Sequence, residues 1–169
     1  MTRTWLTSAA VERKIDAPAD ALYQLITDIT STGERSNECR RAKWLSPAPD
    51  EALVGARFRG HNRSRGFRWS RVCEVIEADP GRAFAFRTVP ERFDPSRRDS
   101  TIWRYELLPD NEHTTVRHSY EISLPALRAV KTLCGIVFPQ HRDMRPAMQH
   151  TLEALERQAR AVSRSPGLS

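Results

Sequence analysis

The sequence predicts an α+β fold, a curved antiparallel sheet of six to seven strands wrapped around a long C-terminal helix. Two observations carry the prediction. Between residues 54 and 88, three successive stretches alternate small or apolar residues with charged ones, and tight turn signals separate them. A period of two marks half-buried strands, and short turns make such strands antiparallel neighbours. Beyond residue 124 the period becomes helical, and the closing stretch carries a continuous apolar stripe. Helices and strands kept apart along the chain mean α+β rather than a parallel α/β sheet.

Taken in order, residues 1–7 read as a loose lead-in, with Trp5 and Leu6 available to dock. Residues 10–16 set Val11 and Ile15 against Glu12, Lys14 and Asp16, which makes a first strand. Arg13 shares the apolar face, as an edge strand tolerates. Pro18 suits the first position of a helix, and Asp20 falls in its first turn, where the helix dipole favours a negative charge. Leu22, Leu25, Ile26 and Ile29 follow at helical spacing; Gly33 ends the helix, and residues 34–37 fit one further turn. Residues 39–45 read as another strand and 46–50, with Pro47 and Pro49, as a loop.

Within the central block, residues 57–63 place Phe58, Gly60 and Asn62 on one face, with Arg57, Arg59, His61 and Arg63 on the other. Ser64, Arg65 and Gly66 form the first turn. Residues 68–78 carry Trp69, Val72, Cys73, Val75 and Ile76, with both faces mixed, so alternation does not choose the inward one. Asp79, Pro80 and Gly81 make the second turn, and residues 82–89 put Phe84 and Phe86 on one face. Residues 90–100 are polar with two prolines, a long mobile connection expected beside a pocket mouth. Residues 101–107 line up Thr101, Trp103, Tyr105 and Leu107 on one face. Residues 114–122 line up Val116, His118, Tyr120 and Ile122, and the hairpin joining the two closes around 109–113. Leu127, Val130 and Leu133 or Cys134 then mark a helix ending near Pro139. The last helix gathers Met144, Ala147, Met148, Thr151, Leu152, Leu155, Ala159 and Val162 on one face. Pro146 must start that helix or kink it, and residues 163–169 should fray.

Length and charge bound the rest. The 169 residues fit one domain with one core. Mean hydropathy is −0.59, and no apolar run approaches the roughly 20 residues of a membrane span, so no membrane insertion is expected. No basic-then-apolar leader is visible either. The three cysteines, Cys39, Cys73 and Cys134, are odd in number and lack metal spacing; free thiols in a reducing cytoplasm are expected, with no metal and no cofactor. A net charge of +6 raises nucleic acid or an anionic surface as partner. Against nucleic acid stands the composition: arginine far outnumbers lysine and alanine and proline are common, as a GC-rich genome explains without a ligand, and the arginines are spread along the chain. The oligomeric state is left open.

Four pieces of the chain then carry a likeness. VERKIDAPADALYQLITD, GARFRGHNRSRGFRWSRVCEVIEADPGRAFAFR, TIWRYELLP and MQHTLEALERQA resemble the START-like (SRPBCC) superfamily, in particular its bacterial polyketide cyclase/dehydrase-like branch. The resemblance spans residues 10–161, and Pro146 departs from it. It implies a helix-grip fold, as in START and Bet v 1-like proteins, with a deep pocket for a hydrophobic ligand. Lipid carriers, hormone receptors and aromatic cyclases share that fold, so fold does not settle function.

Candidate site residues come from the inward sheet face and the last helix. No phosphate-binding glycine loop, G-x-S-x-G or H-E-x-x-H is present. Alternation sends Phe58, Asn62, Phe84, Phe86, Trp103, Tyr105, His118 and Tyr120 inward, and helical spacing adds Met144 and Met148. If the last hairpin closes as expected, His118 lies opposite Tyr105 and Tyr120 opposite Trp103. Such a set orients an aromatic or sterol-like ligand by stacking and a few hydrogen bonds. The leading expectation is therefore binding of a small hydrophobic or aromatic molecule, lipid or polyketide-like. The second is a cyclase/dehydrase in which His118 is a general base near neutral pH and Tyr105 or Tyr120 a proton donor. The bland alternative is a buried His118 bonded to a neighbouring tyrosine. A third function, a basic nucleic-acid-binding or regulatory protein, rests on charge alone. Arg63, Arg65, Arg68 and Arg71 crowd one hairpin, as a solvated basic turn or as a rim attracting an anionic tail, a carrier protein or a membrane surface. His141 and His150 are nine residues apart and point to different sides, which argues against a metal pair.

Overall fold

The computed structural model describes residues 5–45, 54–94 and 97–164. The loop expected at 46–50, residues 1–4 of the lead-in and residues 165–169 of the tail lie outside the described residues. Seven antiparallel strands form one sheet: β1 (Ser8–Ile15), β2 (Cys39–Trp44), β3 (Arg57–Ser64), β4 (Phe67–Asp79), β5 (Ala83–Thr88), β6 (Ser100–Asp110) and β7 (His113–Leu124). Their order across the sheet is β1-β7-β6-β5-β4-β3-β2. β2 to β7 form a meander, and β1 closes the far edge against β7. Arg13 is tolerated on that edge because it reaches Glu156 at 2.6 Å and Glu153 at 3.9 Å on the last helix.

The helices are α1 (Ala19–Thr27), α2 (Thr32–Arg35), α3 (Arg128–Val137) and α4 (Arg145–Arg164). α1 stops earlier than its apolar spacing suggests. Asp28 leaves helical geometry and its carboxylate accepts from the Thr30 N–H (3.1 Å) and hydroxyl (2.6 Å), which starts a separate 3-10 turn, Ile29–Ser31. Gly33 does not end a helix; it lies inside α2, where a Cβ would collide with the Arg40 carbonyl. Glycine is required there so that α2 can lie against β2. Pro146 falls in the first turn of α4, where its missing N–H costs nothing. The Asp143 carboxylate accepts from the Arg145 N–H (3.1 Å) just before that turn.

The β3–β4 turn is a two-residue one. Arg65 and Gly66 both have positive φ (49° and 87°), the mirror-image turn that matches the strand twist. The pairing it sets puts Asn62 opposite Trp69 and Phe58 opposite Cys73. The β6–β7 hairpin turns at Asn111 and Glu112, with Asn111 at φ 54°, and pairs Tyr105 with His118 and Trp103 with Tyr120, as the sequence anticipated.

The residues expected as a loose lead-in are tied down from Leu6 onward. The Leu6 N–H donates to the Arg142 carbonyl (3.0 Å), the Tyr120 hydroxyl donates to the Leu6 carbonyl (3.1 Å), and the Ile122 N–H donates to the Thr7 carbonyl (2.8 Å). α4 lies across the concave face of the sheet and buries Met148, Leu152, Ala154, Leu155 and Ala159. Val162 was expected on this stripe but is 60% exposed, because the helix outruns the core after Ala159. Ile15, Leu22, Val75, Phe84, Leu107 and Val116 meet the helix from the sheet and from α1.

Candidate functional site

The inward sheet face is packed solid at one end and hollow at the other. The hollow end holds a cavity of about 360 Å³, between the sheet and the N-terminal half of α4. Phe58, Gly60, Asn62, Phe86, Trp103, Tyr105, His118 and Ile122 line it from the sheet, Ala147, Met148 and Thr151 from α4, and Met144 from just before that helix. The structure thus brings together eight of the ten anticipated ligand residues. Phe84 is not among them: it is 1% exposed and belongs to the solid end. Nor does Tyr120 line the cavity. Its ring contacts Trp103 (5.5 Å), while its hydroxyl is committed to the Leu6 carbonyl.

His118 is the most unusual group. It is 4% exposed, lines the cavity, and neither ring nitrogen has a hydrogen-bond partner. It stacks on Tyr105, with ring centroids 4.0 Å apart and planes at 21°, and meets Trp103 at 5.8 Å. The histidine–tyrosine hydrogen bond of the bland alternative is not formed; the two rings stack instead, because opposed residues on neighbouring strands project side by side. Burial without a compensating charge pulls the His118 pKa down to about 3. Burial also pushes the Tyr105 phenol up to about 12, with Arg35 opposing it. At neutral pH the pair is therefore an uncharged imidazole on an uncharged phenol. A base this weak and an acid this weak count against the acid–base roles expected of them.

Several residues line the site that the sequence did not assign to it. Trp69, Arg71 and Cys73 face the cavity from β4, which resolves the strand whose two faces were ambiguous. The signal was the turn: with two loop residues, Trp69 and Cys73 must share the face of Asn62 and Phe58, whereas the expected three-residue turn flips that parity. Arg71 therefore leaves the solvated basic cluster and points inward. It donates to the Asp99 carboxylate (2.9 Å) and carbonyl (2.8 Å), so part of the 90–100 connection is pinned at the cavity wall. Arg35 is 5% exposed and donates to Ser31, the Gln158 side chain and the Asp28 carbonyl. Burial lowers its pKa, against the pull of Tyr105, Asp28 and Glu34.

At the opening, His141 Nε2 lies 2.8 Å from Glu38 Oε1, and Gln140 donates to the same oxygen (3.2 Å). Burial would raise the Glu38 pKa, but the His141 contact and Gln140 outweigh it, and the carboxyl titrates below its ordinary value. Both His141 and Gln140 lie on the 3-10 turn Pro139–Arg142, so this contact ties the α3–α4 connection to the start of β2. Phe138 stacks on His141 (5.2 Å) and meets Trp69 (5.2 Å) and Phe67 (5.6 Å), forming an aromatic rim. Trp5 completes the lining. Among the described residues no three His, Cys, Asp or Glu side chains gather as a metal would need. The described cysteines are free; burial raises the Cys73 thiol to about 12, an unreactive state.

Residues 7–160 match the family of polyketide cyclase / dehydrase and lipid transport proteins. The chain belongs to that family. The fold is the START-like helix-grip one. The protein TTHA0849 from Thermus thermophilus is 20% identical, with a TM-score of 0.69 over 92% of this chain and 99% of that one. The Zhui aromatase/cyclase from a Streptomyces species is 14% identical, with a TM-score of 0.66 over 90% and 93%. A START superfamily protein from Mycobacterium smegmatis is 13% identical, with a TM-score of 0.62 over 92% and 98%. At such identities the likeness concerns the fold alone. No curated protein matches the sequence. No helix among the described residues is long and apolar enough to cross a membrane.

Proposed function

We propose that this family member acts as one START-like domain that binds a small hydrophobic or aromatic molecule, lipid or polyketide-like, in the cavity under α4. The carrying observation is His118: a buried imidazole on the wall of a largely apolar cavity, with no partner in the protein. Leaving a buried polar group unpaired costs about 1–3 kcal/mol. A ligand hydroxyl, carbonyl or amine that reaches His118 recovers that cost, while Trp103, Phe58 and Phe86 supply stacking surface. The volume falls within the range of ordinary ligand pockets, roughly 300–1,000 Å³. Gly60 keeps the floor open, since a Cβ there would meet only Cys39 Sγ, at 3.6 Å.

Native mass spectrometry of the purified protein and fluorescence titration with 1-aminoanthracene test the reading. The dye is expected to bind, and Gly60→Leu, which fills the floor, to abolish binding. His118→Phe should weaken it about five- to tenfold, the worth of one hydrogen bond. Dye binding unchanged by Gly60→Leu would place the ligand elsewhere.

A cyclase/dehydrase reading is the second one, favoured by the family; the place of His118 and Tyr105 on the cavity wall fits it, while their burial-shifted pKa values count against it. Its acid–base pair would be His118 with Tyr105, since the Tyr120 proton is engaged. Turnover of an aromatic polyketide that is lost in both His118→Ala and Tyr105→Phe, with binding retained, would replace the carrier reading by this one.

A further inference from the structure

We infer that the cavity end of the molecule docks on a bilayer with anionic head groups, and that ligand passes between bilayer and cavity there; this rests on the carrier reading above. The meander places the β3–β4 turn, the β5–β6 connection and the end of β7, with α3 beyond it, at one end of the sheet. Each of these regions also lines or borders the cavity opening, through Trp69, Asp99, Ile122 and the Gln140–His141 turn. The apolar side chains left in solvent gather on the same segments. Among the described residues ten large hydrophobic side chains are exposed, and six of them are here: Phe67, Phe93, Leu124, Leu127, Leu133 and Ile136. Phe93 is fully exposed, and Leu133 and Ile136 are 62% and 68% exposed on α3.

Unpaired charge at this end is mostly positive, Glu121 near the end of β7 being an exposed carboxylate with no ion pair among the described residues. The carboxylates Glu38, Glu91, Asp94 and Asp99 are all engaged in ion pairs. Arg63, Arg65, Arg68, Arg92, Arg98 and Arg128 are exposed and form no ion pair among the described residues. Protruding aliphatic and aromatic side chains interleaved with unpaired arginines suit an anionic interface, where the apolar groups enter the head-group boundary and the cations meet phosphates. A face built only for an acidic protein has no use for the exposed apolar groups on several separate segments. An apolar ligand leaving through this end enters lipid without crossing water.

Co-sedimentation of the full chain with vesicles tests this. Vesicles of phosphatidylcholine with about 30% phosphatidylserine should pellet the protein, and phosphatidylcholine alone should not; added salt should release it. Leu133→Glu with Ile136→Glu, and separately Arg65→Glu with Arg68→Glu, should each weaken vesicle binding about tenfold or more. Val162→Glu, at an exposed apolar site on the far end, should leave it unchanged. None of these residues lines the cavity, so 1-aminoanthracene binding reports separately on the carrier reading and should survive in all three variants. No binding to anionic vesicles, equal binding to both vesicle types, indifference to the α3 pair, or capture of an acidic protein by the same arginines without vesicle binding would each overturn the inference.

Discussion

The two halves of the interior share one sheet and one helix, yet one is solid and the other hollow. At the solid end Leu152 and Leu155 of α4 meet Phe84, Leu107, Val116 and Ile15, all buried. At the hollow end the helix offers Ala147, Met148 and Thr151, Met144 stands just before it, and the sheet offers Gly60 and rings carrying polar atoms. Alternation is equally regular in both. The difference is volume and polarity at matched positions: large aliphatic groups from both layers interdigitate at one end, while small or flat groups at the other do not reach across. Stability is therefore concentrated in one half and binding capacity in the other.

The sharpest way to break this comparison is to truncate each half. Leu152→Ala should destabilise by about 3 kcal/mol, because it opens a void in a packed wall. Ile122→Ala, beside the existing cavity, should cost only about 1 kcal/mol, since the removed atoms already face open space on one side. Urea unfolding of both variants checks this, and equal losses would erase the distinction.

The next effect is pH dependence from the hollow half. His118 is held neutral by burial, with a folded pKa of about 3 against 6.5 in the unfolded chain. Between those values the unfolded state binds the extra proton, so stability is complete above about pH 6.5 and falls as pH drops towards 3. The loss from pH 7 to pH 5 attributable to this one group is about 2 kcal/mol. His118→Phe should abolish that part of the dependence and be at least as stable as the parent at pH 7.5, because an unpartnered polar group is removed. Denaturation midpoints at pH 5 and pH 7.5 for both proteins measure it.

The smallest effect is expected at the rim. Glu38→Gln removes the half-buried pairing with His141, for about 0.5–1 kcal/mol or less. Its folded pKa is depressed, so the contribution is present above the unfolded value and is lost as pH falls through the folded one. Faster amide exchange in α3 and in Pro139–Arg142, with the solid half unchanged, is the matching observation.

Much of the scaffold was legible because it is local. The β6–β7 pairing followed from turn position and parity, and so did the inward set Phe58, Asn62, Phe86, Trp103, Tyr105 and His118. The misreadings came where one residue of register or one long-range contact decided the outcome. β4 was left without an inward face because both its faces are mixed, and counting Ser64 into the turn removed the parity that would have placed Trp69 and Cys73; Arg71 was misplaced because its charge reads as solvated until Asp99 is seen beside it. Leu6 and Thr7 read as part of a loose lead-in, with no docking place named, because their partners, Arg142, Tyr120 and Ile122, lie more than a hundred residues away.

By itself the sequence determined which stretches are strands or helices and which side chains share a face, since backbone periodicity is written within a few neighbouring residues. Only the tertiary structure decided that α4 fills one end of the concave face and leaves the other hollow, and that His118 is uncharged there. Packing and burial are sums over side chains from distant strands and helices, and no local pattern contains those sums.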